Sequence, residues 1–248
     1  GTCSSDMELY DSTIRDVLSR LSAPGAKSWP YEPGAAWRDL GANELVLGRD
    51  AAYELGGSNN PAGNFTCVTT DGSLVPEDRV TLVGPDIGAI KGDCPFCRVV
   101  LLHVNDISGD DQEAFSAIRS MEFVKYHVFP EGYMMRISPE NQREQVRVSK
   151  QAVKRGLSFR NIGNSFIKKY KENSLIDHVQ IFFVTGDRAL CSELSATAKK
   201  VDAITLTLNH IMDGLATDCS VCSFKPVCDE VEGLKELHFK KGEKPMNV

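Results

Sequence analysis

Two runs of apolar residues most constrain the fold of this 248-residue chain. Residues 98–104 have the sequence RVVLLHV, and residues 179–184 have the sequence VQIFFV. Runs that lack the polar alternation of a half-exposed strand are typical of strands buried on both faces. We therefore predict that the first run is a central strand and that the second is a buried strand.

Shorter patterns around the two runs indicate the fold class. Short β-like runs, beginning with residues 44–47, alternate with turn residues over 44–104, whereas strands alternate with helices in the second half. Residues 22–43, with three prolines, predict an irregular connection. Helical spacing of apolar residues predicts four longer helices, over 7–21, 110–125, 160–171 and 187–212. The predicted class is α/β, mixed α+β, with a β-rich N-terminal half, then an α/β lobe with a long helix, and a Cys-rich C-terminal tail.

The same patterns divide the chain into four segments. We predict a helix and irregular arm over 1–43, a β-rich lobe over 44–128, an α/β lobe over 129–214 and a Cys-rich metal-binding tail over 215–248. The sequence contains no apolar run of about 18 residues, so we predict no membrane-spanning helix. No secretory signal is visible either. We therefore expect a cytoplasmic protein, in a reducing compartment where clustered cysteines bind metal more often than they form disulfides.

Basic side chains concentrate in the middle of an acidic chain. The net charge is −6, yet residues 121–171 carry 11 basic and 4 acidic side chains, a local net charge of +7. The overall acidity argues against general nucleic-acid binding. The basic segment predicts either a local anion site or solvated helix faces, and the pattern alone leaves both open.

The C-terminal tail carries the motif C-x2-C-x5-C-x9-H, formed by Cys219, Cys222, Cys228 and His238. A C-x2-C turn directs two thiolates at one ion, and a third cysteine with a later histidine completes four ligands. Such donors suit zinc or an iron–sulfur cluster. The alternative is a set of small buried thiols, and a lone histidine is a weaker ligand candidate than the cysteines.

A second cysteine pair, Cys94 and Cys97, precedes the first apolar run. A C-x-x-C pair does redox chemistry when it opens a helix, but here a strand is predicted to follow, so we predict no redox catalysis. Sharing a metal with the tail would require the fold to bring the two motifs together. His103 and His178 lie in or beside predicted strands and are interpreted as satisfied core groups.

Four blocks of the sequence resemble one family. They are residues 54–61 (ELGGSNNP), 83–87 (VGPDI), 147–156 (RVSKQAVKRG) and 179–187 (VQIFFVTGD). In order and approximate spacing they are similar to the middle domain of acetyl-CoA synthase, the CO dehydrogenase-associated subunit of the Wood–Ljungdahl pathway. The resemblance extends over roughly residues 50–240.

The resemblance implies cofactors and partners. The family condenses a methyl group from a corrinoid protein with CO and coenzyme A at an iron–sulfur cluster bridged to nickel. By position, Cys219, Cys222 and Cys228 match three cluster ligands, and His238 stands where the fourth cysteine would be. The resemblance further implies coenzyme A contacts from arginines of the basic segment, namely Arg136, Arg143, Arg147, Arg155 and Arg160.

Departures from the family pattern limit the expected activity. The sequence contains no Cys-Gly-Cys, the motif that holds the family's distal nickel, so we expect an accessory subunit that works with a corrinoid protein or a CO dehydrogenase-type subunit. Two competing readings remain: a non-catalytic module stapled by zinc, and a small iron–sulfur electron-transfer protein.

Overall fold

The two apolar runs lie side by side at the centre of a five-stranded sheet. The computed structural model describes residues 8–41, 45–57, 59–105, 111–137 and 143–212. In chain order the strands are β1 (Lys27–Pro30), β2 (Ala51–Leu55), β3 (Ala62–Thr69), β4 (Arg79–Val83), β5 (Phe96–Val104), β6 (Tyr133–Ile137), β7 (Glu144–Ser149) and β8 (Ile176–Thr185). The α-helices are α1 (Asp11–Leu21), α2 (Asp111–Glu122), α3 (Lys150–Lys154), α4 (Phe159–Tyr170) and α5 (Arg188–Met212).

The large sheet has the strand order β1-β4-β8-β5-β3. The central strands β5 and β8 pair antiparallel, from Phe96 opposite Thr185 to Val104 opposite Ile176. Strand β3 runs parallel to β5, and β4 runs parallel to β8. The predicted lobes 44–128 and 129–214 therefore both contribute strands to this sheet, because β8 lies between β4 and β5.

Both faces of the large sheet are covered, which explains the unbroken apolar runs. In β5, Phe96, Val100 and Leu102 join one buried cluster that includes α4 and the second sheet. Cys97 and Leu101 point the other way, into a cluster with α1 and α5. Alternate side chains thus enter different cores, and neither face needs polar residues. The predictions of a central strand and of a buried strand are confirmed.

The helices follow the predicted apolar spacing closely. Helix α5 buries one stripe against the large sheet, formed by Cys191, Leu194, Ala198, Val201, Ile204 and Leu208. Ser149 caps α3 through a hydrogen bond from the Ala152 amide to its Oγ (3.3 Å). No helix among the described residues is both long and apolar enough to cross a membrane.

Two short segments differ from the predictions. Within the predicted irregular connection 22–43, residues 27–30 form β1, because they pair antiparallel with β4. In the predicted strand 44–47, residues 45–47 are not a strand. There the Val46 amide donates to Met134 Sδ (3.3 Å) and the Val46 carbonyl accepts from Arg147 Nη1 (3.1 Å), so side chains satisfy this backbone.

Candidate functional site

The small sheet presents a polar outer face. Its strand order is β2-β7-β6, with both pairings antiparallel. Val146 and Val148 of β7 face the buried cluster, so alternation along the strand turns Arg147 to the opposite face. Glu54 of β2 lies directly opposite Arg147 in the register, and Arg136 of β6 shares this outer face.

One carboxylate oxygen holds two guanidinium groups on this face. Glu54 Oε1 accepts hydrogen bonds from Arg136 Nη1 (3.2 Å) and from Arg147 Nε and Nη2 (both 3.1 Å). We call Arg136 and Arg147 the arginine pair. With Glu54 the pair carries a net charge of +1, and the Arg136 side chain is 33% exposed against 19% for Arg147. The group therefore combines fixed geometry with access from solvent.

Glycine at position 57 leaves room for this arrangement. A Cβ atom added at Gly57 would lie 2.9 Å from Glu54 Oε2 and 3.0 Å from Gln145 Oε1. A side chain at this second glycine of the ELGG block would therefore crowd the Glu54 carboxylate. The sequence of this block does not identify Glu54 as the arginine partner, because cross-strand pairing between residues 54 and 147 leaves no local signal.

The other three predicted arginines lie elsewhere. Arg155 pairs with Glu131 (2.5 Å), and Arg160 pairs with exposed Glu32 (2.7 Å). Arg143 lines a cleft between β3 and α5. The structure thus brings together two of the five predicted coenzyme A contacts, while the other three have separate surroundings.

The cleft beside Arg143, here the Asn64 cleft, has a volume of about 370 Å³. Glu144 organises its polar wall, since it accepts a hydrogen bond from Asn64 Nδ2 and pairs with Lys125 Nζ (3.0 Å). On the opposite wall, burial raises the pKa of Asp202, while the nearby charge of Lys125 lowers it. Charges of both signs line the cleft, so its lining favours no single ligand charge.

A buried cation, Arg98, lies opposite Asn64 in the pairing of β3 with β5. Arg98 is the third residue of β5 and is 1% exposed. Its guanidinium lies over the Phe166 ring (4.6 Å to the centroid), and Nη2 donates to Met135 Sδ (3.3 Å). Among the described residues its Nε has no hydrogen-bond partner. Arg98 was not among the predicted site residues, although an arginine inside an apolar run is itself a signal of a buried charge.

The four cysteines of the described region are free thiols, three of them buried. Cys94 and Cys97 face different clusters: Cys94 packs beside the small sheet, and the Cys97 thiol approaches the Cys191 carbonyl (3.6 Å) instead. The neighbouring Cys191 and, to a lesser extent, burial raise the pKa of Cys97, and burial raises that of Cys94. Raised thiol pKa values disfavour the reactive thiolate.

The predicted metal ligands Cys219, Cys222, Cys228 and His238 lie outside the described residues. Binding of one metal ion or cluster by these four residues therefore stays a prediction from the sequence.

The fold and the arginine pair define a mixed α/β domain with a cationic sheet face. A sequence model of the family described as "CO dehydrogenase/acetyl-CoA synthase complex beta subunit" matches residues 41–190, more than half of the chain. The chain belongs to that family. The match spans β2 to β8, including the whole small sheet, and ends before the cysteine motif of the tail.

A curated relative agrees with this assignment. The chain is 29% identical over 163 residues to the carbon monoxide dehydrogenase/acetyl-CoA synthase subunit alpha of Moorella thermoacetica. The aligned region covers 63% of this chain and 21% of that relative. The chain thus matches about a fifth of the length of the relative.

Proposed function

We propose that this chain is an accessory acetyl-CoA synthase-like subunit of one-carbon metabolism that binds coenzyme A through the arginine pair. The observation that carries the proposal is the convergence of Arg136 and Arg147 on one oxygen of Glu54, inside the region that matches the family. Guanidinium groups form paired hydrogen bonds with phosphate oxygens, and coenzyme A carries a diphosphate and a 3′-phosphate.

Glu54 has two opposed effects in this proposal. It fixes the two guanidinium groups before a ligand arrives, which lowers the entropic cost of binding. It also neutralises one of the two positive charges and competes with an incoming phosphate. Arg147 Nη1 stays on the Val46 carbonyl (3.1 Å), so this arginine keeps an anchor while its other donors turn to the ligand.

Calorimetric titration with coenzyme A tests the proposal. We expect Arg136→Ala and Arg147→Ala to weaken binding about tenfold each, since a hydrogen bond to a charged group contributes roughly 1.5–3 kcal/mol. The same titration of Arg155→Ala, Arg160→Ala and Arg143→Ala examines the other predicted contacts.

Arg20→Ala is the matched control, because Arg20 is exposed on α1 and pairs with Asp16 and Glu193 (3.0 and 2.6 Å). If Arg20→Ala weakens binding as much as Arg147→Ala, the arginine pair has no special part and general charge attraction explains the affinity. Absence of measurable binding to the parent protein contradicts the proposal outright.

We further propose that Cys219, Cys222, Cys228 and His238 bind an iron–sulfur cluster. The donor set fits this group, since thiolates are its usual ligands and histidine replaces cysteine in some clusters. When bound, the cluster would supply one-electron chemistry. Three cysteines with one histidine are also an ordinary donor set for structural zinc, so a zinc-stapled module is the second candidate.

Anaerobic purification with metal and sulfide analysis separates these candidates. Iron with matching sulfide and a broad visible absorption band supports the cluster, whereas one zinc per chain without colour supports the staple. Cys219→Ser should lose the metal in either case, and Cys94→Ser, which changes a half-buried thiol outside the motif, should keep it. Retention of the metal by Cys219→Ser contradicts both readings.

The proposed partner is a corrinoid protein or a CO dehydrogenase-type subunit. Strand β6 is an edge of the small sheet, and its last residue, Ile137, is 60% exposed. Open edges and exposed apolar side chains favour association. We expect Ile137→Asp to weaken co-elution with the partner in size-exclusion chromatography, while Leu206→Asp, an exposed position on α5, leaves it unchanged. Equal co-elution of both variants with the partner would contradict the proposal that the partner binds at the β6 edge.

A further inference from the structure

Two histidines and an aspartate lie close together where strand β5 ends and the neighbouring strand β8 begins. His103 of β5 lies opposite His178 of β8, with the two rings nearly parallel and their centroids 5.9 Å apart. Asp177 Oδ2 lies 3.1 Å from His103 Nδ1 and 3.7 Å from His178 Nε2. One ligand atom from each residue lies within 4.8 Å of the other two.

The two distances from Asp177 to the histidine nitrogens fit coordination of one small cation. Tetrahedral ligands at about 2.0–2.1 Å from zinc stand about 3.3 Å from one another, between the two distances measured to Asp177. His103 Nδ1 is buried and makes no hydrogen bond among the described residues, although the carboxylate is 3.1 Å away. The interpretation of His103 and His178 as satisfied core groups is therefore wrong for their Nδ1 atoms, which both lack hydrogen bonds within the described chain.

An outer carboxylate completes the arrangement. Asp78 Oδ1 lies 3.7 Å from His178 Nδ1, the nitrogen that faces away from Asp177. Asp78 is itself held by Lys171 Nζ (2.7 Å) and by the Val179 amide (2.8 Å). Metal-bound histidines commonly direct their second nitrogen at such a carboxylate, which fixes the ring orientation. An ion pair between His178 and Asp177 alone would not require a second carboxylate in this position.

We propose that His103, Asp177 and His178 bind a divalent first-row transition-metal ion of the zinc class, with Asp78 orienting His178. Two imidazoles and one carboxylate suit such ions better than calcium or magnesium, which prefer all-oxygen sites. Three protein ligands leave one position for solvent or a small ligand. The ion would tie β5 to β8 at the end of β5 remote from Phe96, and its ligands share no residue with the arginine pair.

Cobalt(II) titration of the full chain tests this site. The titration uses the Cys219→Ser, Cys222→Ser, Cys228→Ser background, so that these three thiolates of the tail do not contribute. We expect one equivalent of cobalt to bind, with ligand-field bands and without sulfur-to-metal charge transfer, and zinc to displace it. Absence of cobalt binding in this background overturns the proposal.

Substitutions then locate the ion. His103→Gln and His178→Gln should lower cobalt affinity at least a hundredfold, and Asp78→Asn about tenfold, as for other outer-sphere carboxylates. His127→Gln, at an exposed histidine outside the cluster, should change nothing. Asp177→Asn, at a 45% exposed side chain, provides a variant whose folding is least at risk. If circular dichroism shows folded Asp177→Asn that binds cobalt as the parent does, the proposal is wrong.

Discussion

Arginines occupy two contrasting environments in this domain. Arg98 is enclosed between the two sheets, where an aromatic ring and a thioether sulfur contact its guanidinium. The arginine pair lies on the outer face of the small sheet and shares the carboxylate of Glu54. The buried cation is only 1% exposed, whereas the side chains of the pair are 33% and 19% exposed and are orientated by Glu54. The proposed coenzyme A contact therefore rests on the convergence of two accessible arginines on Glu54 and not on burial.

The largest expected effect comes from the buried side of this comparison. Arg98→Ala leaves a cavity and removes the contact with Phe166, which we expect to lower the free energy of unfolding by about 2–4 kcal/mol. Arg98→Met keeps most of the volume and removes a buried charge, so it should leave stability unchanged or higher. Urea unfolding measures both variants. Equal losses in both would show that the charge itself stabilises the core.

A smaller loss is expected on the exposed side. Arg147→Ala removes its bonds to Glu54 and to the Val46 carbonyl, at a cost of about 1–2 kcal/mol. Arg160→Ala breaks only an exposed pair with Glu32 and should cost less than about 0.5 kcal/mol. Thermal unfolding of the two variants compares them directly. The distinction between a fixed and a solvated arginine fails if both lose the same stability.

The smallest effect concerns a half-buried charge of the opposite sign. Glu122 accepts a hydrogen bond from Thr205 Oγ1 (3.3 Å), and burial raises the pKa of its carboxyl above the ordinary 4.5. Between the ordinary and the raised pKa the folded state binds more protons than the unfolded state, so stability falls as the pH rises through this interval.

Glu122→Gln should remove that part of the pH dependence. Glu193→Gln, which changes an exposed carboxylate beside Arg20, is the control and should keep the slope of the parent. Urea unfolding from pH 4 upward checks both variants. A steeper loss of stability with pH in Glu122→Gln than in the parent would mean that Glu122 is not the group responsible.

Sequence patterns predicted the elements that depend on local periodicity. Helix α5 and strand β8 were predictable because their apolar residues repeat at the spacing of a buried face. Strand β1 was not, because four residues ending in Pro30 become a strand only through pairing with β4. The Glu54 partnership and the burial of Arg98 depend on contacts between residues distant in the chain, which a single sequence does not encode locally.

We propose that coenzyme A displaces the Glu54 carboxylate from the arginine pair. The coenzyme A affinity of Glu54→Gln tests it most directly, because glutamine keeps the shape of the side chain and removes the competing charge. We expect Glu54→Gln to bind coenzyme A roughly three- to tenfold more tightly than the parent does, because removal of one charge at an accessible site is worth about 1 kcal/mol. Unchanged or weaker binding by folded Glu54→Gln would contradict it.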